Sequence, residues 1–129
     1  NEKINGLVIK NLIDKKLLNS VHDVSSGGIL INLTEMCLSE NIGVKIKIPN
    51  SKISYHEYLF GEDQSRYLIE VSEKNLNEVY KILTKNDIFY ESLGKTQKDT
   101  LDLDKEFNIK IEDLKNLKSF WFKNYFGDR

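Results

Sequence analysis

The residues best placed to do chemistry lie in one stretch, Ser20-Val21-His22-Asp23-Val24-Ser25-Ser26-Gly27-Gly28. A short strand runs through two hydroxyl residues and two glycines into an apolar run of helical length. Unpaired backbone N–H groups gather at a helix start, and the helix dipole favours negative charge there. Ser25, Ser26, Gly27 and Gly28 can therefore form a phosphate cradle, the N–H groups of Ser26, Gly27 and Gly28 being helped by the Ser25 and Ser26 hydroxyls. The competing reading is a tight strand-to-helix turn in which the glycines only permit close packing. From spacing alone the packing reading leads, because the run lacks the lysine of a P-loop and the Gly-x-Gly-x-x-Gly of a dinucleotide fold. His22 and Asp23 are neighbours on a strand, so their side chains are expected on opposite faces and not as a base with its orienting carboxylate.

A second cluster, Gly61-Glu62-Asp63-Gln64-Ser65-Arg66, gathers two acids, an amide and a base just before a strand. Such a loop can ligate a metal, contact a ligand hydroxyl, or form a solvated turn in which Arg66 pairs an acid; the last reading leads. Asp99, Asp102 and Asp104 lack the frame and distal glutamate of a calcium loop. Cys37 has no histidine at a metal-site spacing and reads as packing, and His56 reads as a surface or packing residue. No triad, zinc set or two-carboxylate site can be assembled, so no catalytic residue and no metal ligand is assigned.

The elements that must position these clusters follow from periodicity. A helix is predicted over residues 3–18, with Ile4, Leu7, Val8 and Leu12 on one face and Lys15 and Lys16 in its last turn. Ser20–Val24 reads as a strand, with Ser25 or Ser26 as the cap of a helix from Gly28 to about Asn41. That helix is apolar almost all round in its first turn, so burial on most sides is expected, and Gly43 is expected to relieve the turn after it. Val44–Ile48 alternates as a half-buried strand with its lysines outward, and Pro49 ends it. Asn50–Ser54 reads as loop, Tyr55–Phe60 as a short helix or irregular segment, and Arg66–Val71 as a strand. Ser72 is expected to cap a helix carrying Leu76, Val79, Tyr80 and Leu83. Ile88–Leu93 reads as a strand ended by Gly94, residues 101–103 and 107–111 as a hairpin, and Glu112–Phe126 as a closing helix rich in aromatics. The fold class is α+β: a mixed β-sheet with helices packed on it, built from two β-α-β units in ferredoxin-like order plus a C-terminal hairpin and helix. Residues 1–129 read as a single domain.

Composition sets the outer limits. The 129 residues are 40% apolar and 30% charged with net charge −1, which is globular and carries no footprint of nucleic-acid binding. No apolar run approaches the roughly 20 residues of a membrane span. The single Cys37 cannot form an internal disulfide, which favours a cytoplasmic setting. The chain opens at Asn1 and not at a methionine, which points to a piece of a longer polypeptide.

Read together, the two clusters carry a family resemblance. Val21-His22-Asp23-Val24-Ser25-Ser26-Gly27-Gly28-Ile29, followed by Leu33-Thr34-Glu35-Met36, resembles the His-Asp-x-Ser-x-Gly-Gly signature of C-terminal domains in the aminoimidazole ribonucleotide synthetase-related superfamily. Leu59 to Tyr67 resembles the second signature of the same domains, about 33 residues on. The pair is similar to the last such domain of the phosphoribosylformylglycinamidine synthase family, in its synthetase component. Leu93-Gly94-Lys95 continues the likeness, and Leu101 to the end follows it more loosely. The resemblance implies an ATP-dependent ligase of purine biosynthesis, which converts formylglycinamide ribonucleotide to its amidine with glutamine-derived ammonia. It implies ATP and magnesium in the full enzyme, other domains of the same synthetase and a glutaminase domain or subunit as partners, and a domain inactive alone that walls a nucleotide cleft. Carried over, Ser25, Ser26, Gly27 and Gly28 would face phosphate, while Asp23, Glu62, Asp63 and Gln64 would line the cleft. Many relatives have Asp where this chain has Ser26. The alternatives are a purely structural or assembly domain, and the C-terminal domain of another ATP-dependent member of the superfamily.

Overall fold

The computed structural model describes residues 2–48, 54–63, 65–103 and 106–127. The expectations at Pro49, Asn50–Ile53, Gln64 and Asp104 lie outside the described residues. In chain order the elements are α1 (Glu2–Asp14), β1 (Ser20–Asp23), α2 (Gly28–Glu40), β2 (Gly43–Ile46), α3 (Tyr55–Phe60) and β3 (Tyr67–Glu70). A 3-10 turn at Glu73–Asn75 then leads into α4 (Leu76–Lys85), followed by β4 (Gly94–Gln97), β5 (Thr100–Leu103), β6 (Phe107–Lys110) and α5 (Ile111–Phe126). The α+β class and the β-α-β order hold. The strands do not form one sheet: β1 pairs with β3, while the other four take the order β4-β2-β5-β6. The chain divides into two compact units, residues 1–33 with 53–91 and residues 34–52 with 92–129.

The first unit is built on α1, α4 and the antiparallel β1–β3 ribbon. Val8 and Leu12 of α1 bury one turn apart against Val79 and Leu83 of α4, with Leu17 completing the cluster. Ile4 and Leu7, which periodicity placed on the same buried face, are instead exposed. The helix also ends earlier than predicted. Lys16 takes a left-handed conformation, and the Leu17 and Lys16 N–H groups donate back to Leu12 O and Ile13 O, closing the last turn without a glycine. At the end of α4 Asp87 is left-handed in the same way, Ile88 N–H donating to Leu83 O and Asp87 N–H to Thr84 O. Ser72 precedes the 3-10 turn in extended conformation, yet its hydroxyl makes no capping bond and is buried without a partner among the described residues.

In the second unit β2 is central, antiparallel to β4 and parallel to β5, and β5 turns into β6 as the predicted hairpin. Val44 and Ile46 align with Leu101 and Leu103, and all four are buried, while Lys45 and Lys47 face outward as alternation requires. Gly43 does not relieve the preceding turn, since Asn41 takes the left-handed conformation there. Gly43 is needed for close approach, because a Cβ would fall 2.3 Å from Thr100 O. The predicted strand at Ile88–Leu93 is absent. Ile88 packs on the first unit's core and Tyr90 stacks on Tyr80 at 5.0 Å without a ladder, while Phe89 is exposed. The strand begins at Gly94, the residue expected to end it.

Candidate functional site

Two stretches far apart in sequence become neighbours through the β1–β3 ribbon. Asp23 lies opposite Tyr67, and the Val24 N–H extends the pairing by donating to Arg66 O at 2.8 Å. The turn at residues 25–28 therefore runs beside the loop joining α3 to β3. Gly27 and Gly28 both have positive φ, +83° and +69°. At Gly28 a Cβ would stand 2.6 Å from Leu59 O and 2.7 Å from Phe60 Cα, so backbone passes where a side chain would be.

The cradle and the acidic loop meet at one bond. Gly27 N–H donates to Glu62 Oε1 at 2.8 Å, so the first turn of α2 holds an anionic oxygen supplied by the chain itself. Gly28 N–H donates to Ser25 O at 3.1 Å and closes the turn. Ser25 does not cap α2 with its hydroxyl, which donates instead to Asn32 Oδ1 at 3.3 Å. Ser25 and Ser26 are both exposed. Both glycines sit in close quarters, Gly27 against Ile31 and Gly28 against the end of α3, and the Gly27 N–H is taken by the chain's own Glu62 carboxylate.

Asn32 is the organising residue that sequence reasoning passed over. It is 1% exposed, and its amide donates to Gly28 O at 2.6 Å and Ser26 O at 3.3 Å, with Ser25 O at 3.5 Å. The available signal was an amide placed four residues after Gly28 inside the apolar run Ile29–Leu33. The expectation that this helix is buried on most sides holds only in part, since Ile29, Asn32 and Cys37 are buried and Ile31 is exposed.

Arg66 holds the second loop. Its guanidinium donates to Gly61 O at 3.2 Å, Asp63 Oδ2 at 3.3 Å and Tyr58 O at 3.4 Å, and lies 5.9 Å from the Tyr58 ring centroid. The solvated turn with Arg66 pairing an acid is therefore what forms, with Asp63 as the acid. Asn5 of α1 supports the same loop, donating to Ser65 O and Oγ. A capping box between Ser54 and Glu57 starts α3, and bonds from the Ser54 hydroxyl and backbone hold the Glu57 carboxyl below its usual range. Asp23 is largely exposed at the end of β1, and His22 Nδ1 lies 2.6 Å from Asp23 O and 3.8 Å from Asp23 Oδ1. Gln64 lies outside the described residues. Among the described residues no three His, Cys, Asp or Glu gather to hold a metal ion.

Tyr58 gives the loop a pH signature. Burial, then the hydrogen bond from its hydroxyl to Glu91 and the charge of that carboxylate, push the phenol from 10.0 up to about 12. The folded state favours the protonated phenol, so this stabilisation is fully present below pH 10.0 and is lost as pH rises through about 12. Tyr58→Phe is expected to flatten the alkaline decline in unfolding free energy across that window, as read by urea titrations; equal slopes in both proteins would contradict the assignment.

A family model described as AIR synthase related protein, C-terminal domain, matches residues 2–104. The chain is 43% identical over 125 residues to phosphoribosylformylglycinamidine synthase subunit PurL of Pelagibacter ubique, covering 97% of this chain and 17% of that protein. It is 36% identical over 128 residues to the PurL subunit of Rhodopseudomonas palustris strain BisB18, again covering 17% of the relative. Among solved structures, T. maritima PurL complexed with FGAR superposes with a TM-score of 0.74 at 17% identity, covering 88% of this chain and 20% of that one. PurLQS from Thermotoga maritima gives 0.75 at 16% identity, over 86% of this chain and 21% of that one. The structural likeness concerns the fold, and the chain spans about a sixth of the length of these curated relatives. The chain belongs to the family of C-terminal domains of AIR synthase related proteins.

Proposed function

We propose that residues 1–129 act as one C-terminal domain of a phosphoribosylformylglycinamidine synthase, a cytoplasmic ATP-dependent ligase that turns formylglycinamide ribonucleotide and glutamine-derived ammonia into the amidine. In this role the domain walls a nucleotide cleft completed by other domains of the same synthetase, with a glutaminase domain or subunit supplying ammonia. The observation that supports the cleft-wall role is the 2.8 Å bond from Gly27 N–H to Glu62, an anionic oxygen at the start of α2. A phosphate oxygen of ATP has the charge and acceptor character to replace that carboxylate. Ser25 and Ser26 hydroxyls, both exposed beside it, add further donors. Asp23, Glu62 and Asp63 would form the acidic margin of the cleft, and the amide of Gln64 would line it with them. Glu62 and Asp63 beside the cradle disfavour a bare polyphosphate, so the ligand is expected as its magnesium complex, the metal being held by phosphate and by residues outside this chain.

One observation favours the assembly reading instead. Gly28 is required by the close approach of Leu59 and Phe60 whether or not a ligand binds, and the Gly27 N–H already has an internal acceptor. The full-length polypeptide carrying this domain decides the activity. Supplied with ATP, magnesium, FGAR and ammonia, it is expected to form ADP in an FGAR-dependent manner, and to lose that activity when these residues are deleted. ADP formation indifferent to FGAR would overturn the assignment.

A further inference from the structure

Asn5 of α1 reaches the acidic loop, 60 residues on in sequence. Its amide donates to Ser65 O at 3.1 Å and to Ser65 Oγ at 2.9 Å. Ser65 has φ +66°, a left-handed conformation that few residues besides glycine, asparagine and aspartate take. The two bonds from Asn5 hold this strained serine in place. Asn5, Val8 and Leu12 lie at i, i+3 and i+7 on one face of α1, and Val8 and Leu12 are buried in the cluster with Val79 and Leu83. The amide is thus presented from a helix fixed by the core. Gly6 beside it runs close to β3, where a Cβ would stand 3.7 Å from Tyr67 Oη. Arg66, by contrast, ties the loop to its own flanks, at Gly61, Asp63 and Tyr58.

We infer that Asn5 is a positioning residue of the anion site: by fixing Ser65 it holds Glu62 on the Gly27 N–H and sets how readily a phosphate displaces that carboxylate. This role rests on the reading of the Gly27 turn as a phosphate site. Glu62 Oε1 accepts from Gly27 N–H at 2.8 Å, and Ser65 follows it in the same loop. The acceptor is intramolecular, so its strength against an external phosphate depends on how often the loop presents it. Beyond Ser65 the chain enters the β1–β3 ribbon, with Arg66 O accepting from Val24 N–H and Tyr67 opposite Asp23. Ser65 is therefore the joint between a fixed strand and the segment that carries Glu62. Losing the Asn5 amide frees that joint to leave its left-handed conformation, which redirects the chain before it. Alanine is a better helix former than asparagine, so Asn5→Ala removes the clamp without weakening α1.

In the full-length polypeptide, exchange of the Gly27 amide hydrogen is read by fragmentation mass spectrometry, and KM for magnesium ATP by FGAR-dependent ADP formation. Asn5→Ala is expected to speed Gly27 exchange several-fold and to lower that KM about 3-fold, the size of one modest hydrogen bond loosened. Glu62→Ala is expected to do both, and Asn5→Ala to add nothing in its background. Asn75→Ala removes a side-chain bond to Leu17 O elsewhere in the same unit, and as the control it should leave both readings unchanged. A merely structural loss lowers the folded fraction, and with it kcat, while KM and the coupling to Glu62 stay as they were. Wild-type Gly27 exchange in Asn5→Ala, or an effect that adds in full to that of Glu62→Ala, would overturn the positioning role. A KM indifferent to Glu62→Ala, with Gly27 exchange still coupled to Asn5, would instead count against the phosphate reading alone.

Discussion

Gly28→Ala is expected to destabilise the protein by about 3 kcal/mol or more, from a left-handed backbone cost of roughly 1–2 kcal/mol together with overpacking of roughly 1–3 kcal/mol. The residue has φ +69°, and its Cβ would meet Leu59 O and the Phe60 backbone at 2.6–2.7 Å. Those neighbours are main-chain atoms at the end of α3, so no rotamer change relieves the contact. Either α2 must move away or α3 must unwind its last turn. Gly127→Ala is a control for positive φ without close approach, because Gly127 has φ +73° and ψ 167° with nothing within 4 Å. It is expected to cost about 1 kcal/mol, a backbone conformational cost at a helix end with no overpacking. Urea titrations of the two variants measure the difference, and equal losses would show that close approach at Gly28 does not matter.

The second large effect is expected at Asn32. Its amide satisfies the Gly28 and Ser26 carbonyls from a site 1% exposed, so Asn32→Leu removes the donor while nearly keeping the volume. Losing the donor to the buried Gly28 carbonyl and the partly buried Ser26 carbonyl is expected to cost about 1–3 kcal/mol. Asn32→Asp separates hydrogen bonding from packing. Its carboxylate would oppose the Gly28 carbonyl, and burial would raise its folded pKa above the unfolded value. Stability is then present at low pH and lost as pH rises, so the Asp variant should gain on the Leu variant as pH falls towards 4, near the unfolded pKa of about 3.9. A pH-independent gap between the two would assign Asn32 a packing role only.

Much of this was legible because it is local. The alternation of Val44–Ile48 with outward lysines and the existence of the closing helix are legible from local pattern alone. What failed was non-local or conformational. Ile88-Phe89-Tyr90 has strand composition, but Tyr90 found a stacking partner in Tyr80 in place of a ladder. One sheet was expected and two formed, since β-α-β order does not dictate which strands pair. The end of α1 was blurred because Lys16 adopts the conformation usually left to glycine. Gly27 and Glu62 were each singled out, but their bond depends on the β1–β3 pairing across 35 residues. Asn32 went unread because an amide in an apolar run looks like an interruption, and its role emerges only when the carbonyls of the turn above it need donors.

We propose that Glu62 fills the Gly27 N–H site until a phosphate displaces it. Titrating the ¹⁵N-labelled chain with magnesium ATP, in wild type and Glu62→Gln, tests it directly. A neutral amide is a weaker acceptor than a carboxylate and removes a repulsive charge. The variant should therefore bind ATP about 3- to 10-fold more tightly, equivalent to roughly 1 kcal/mol, with the largest amide shifts at Ser26, Gly27 and Gly28 in both proteins. Shifts confined to other residues, or weaker binding by Glu62→Gln, would contradict the account.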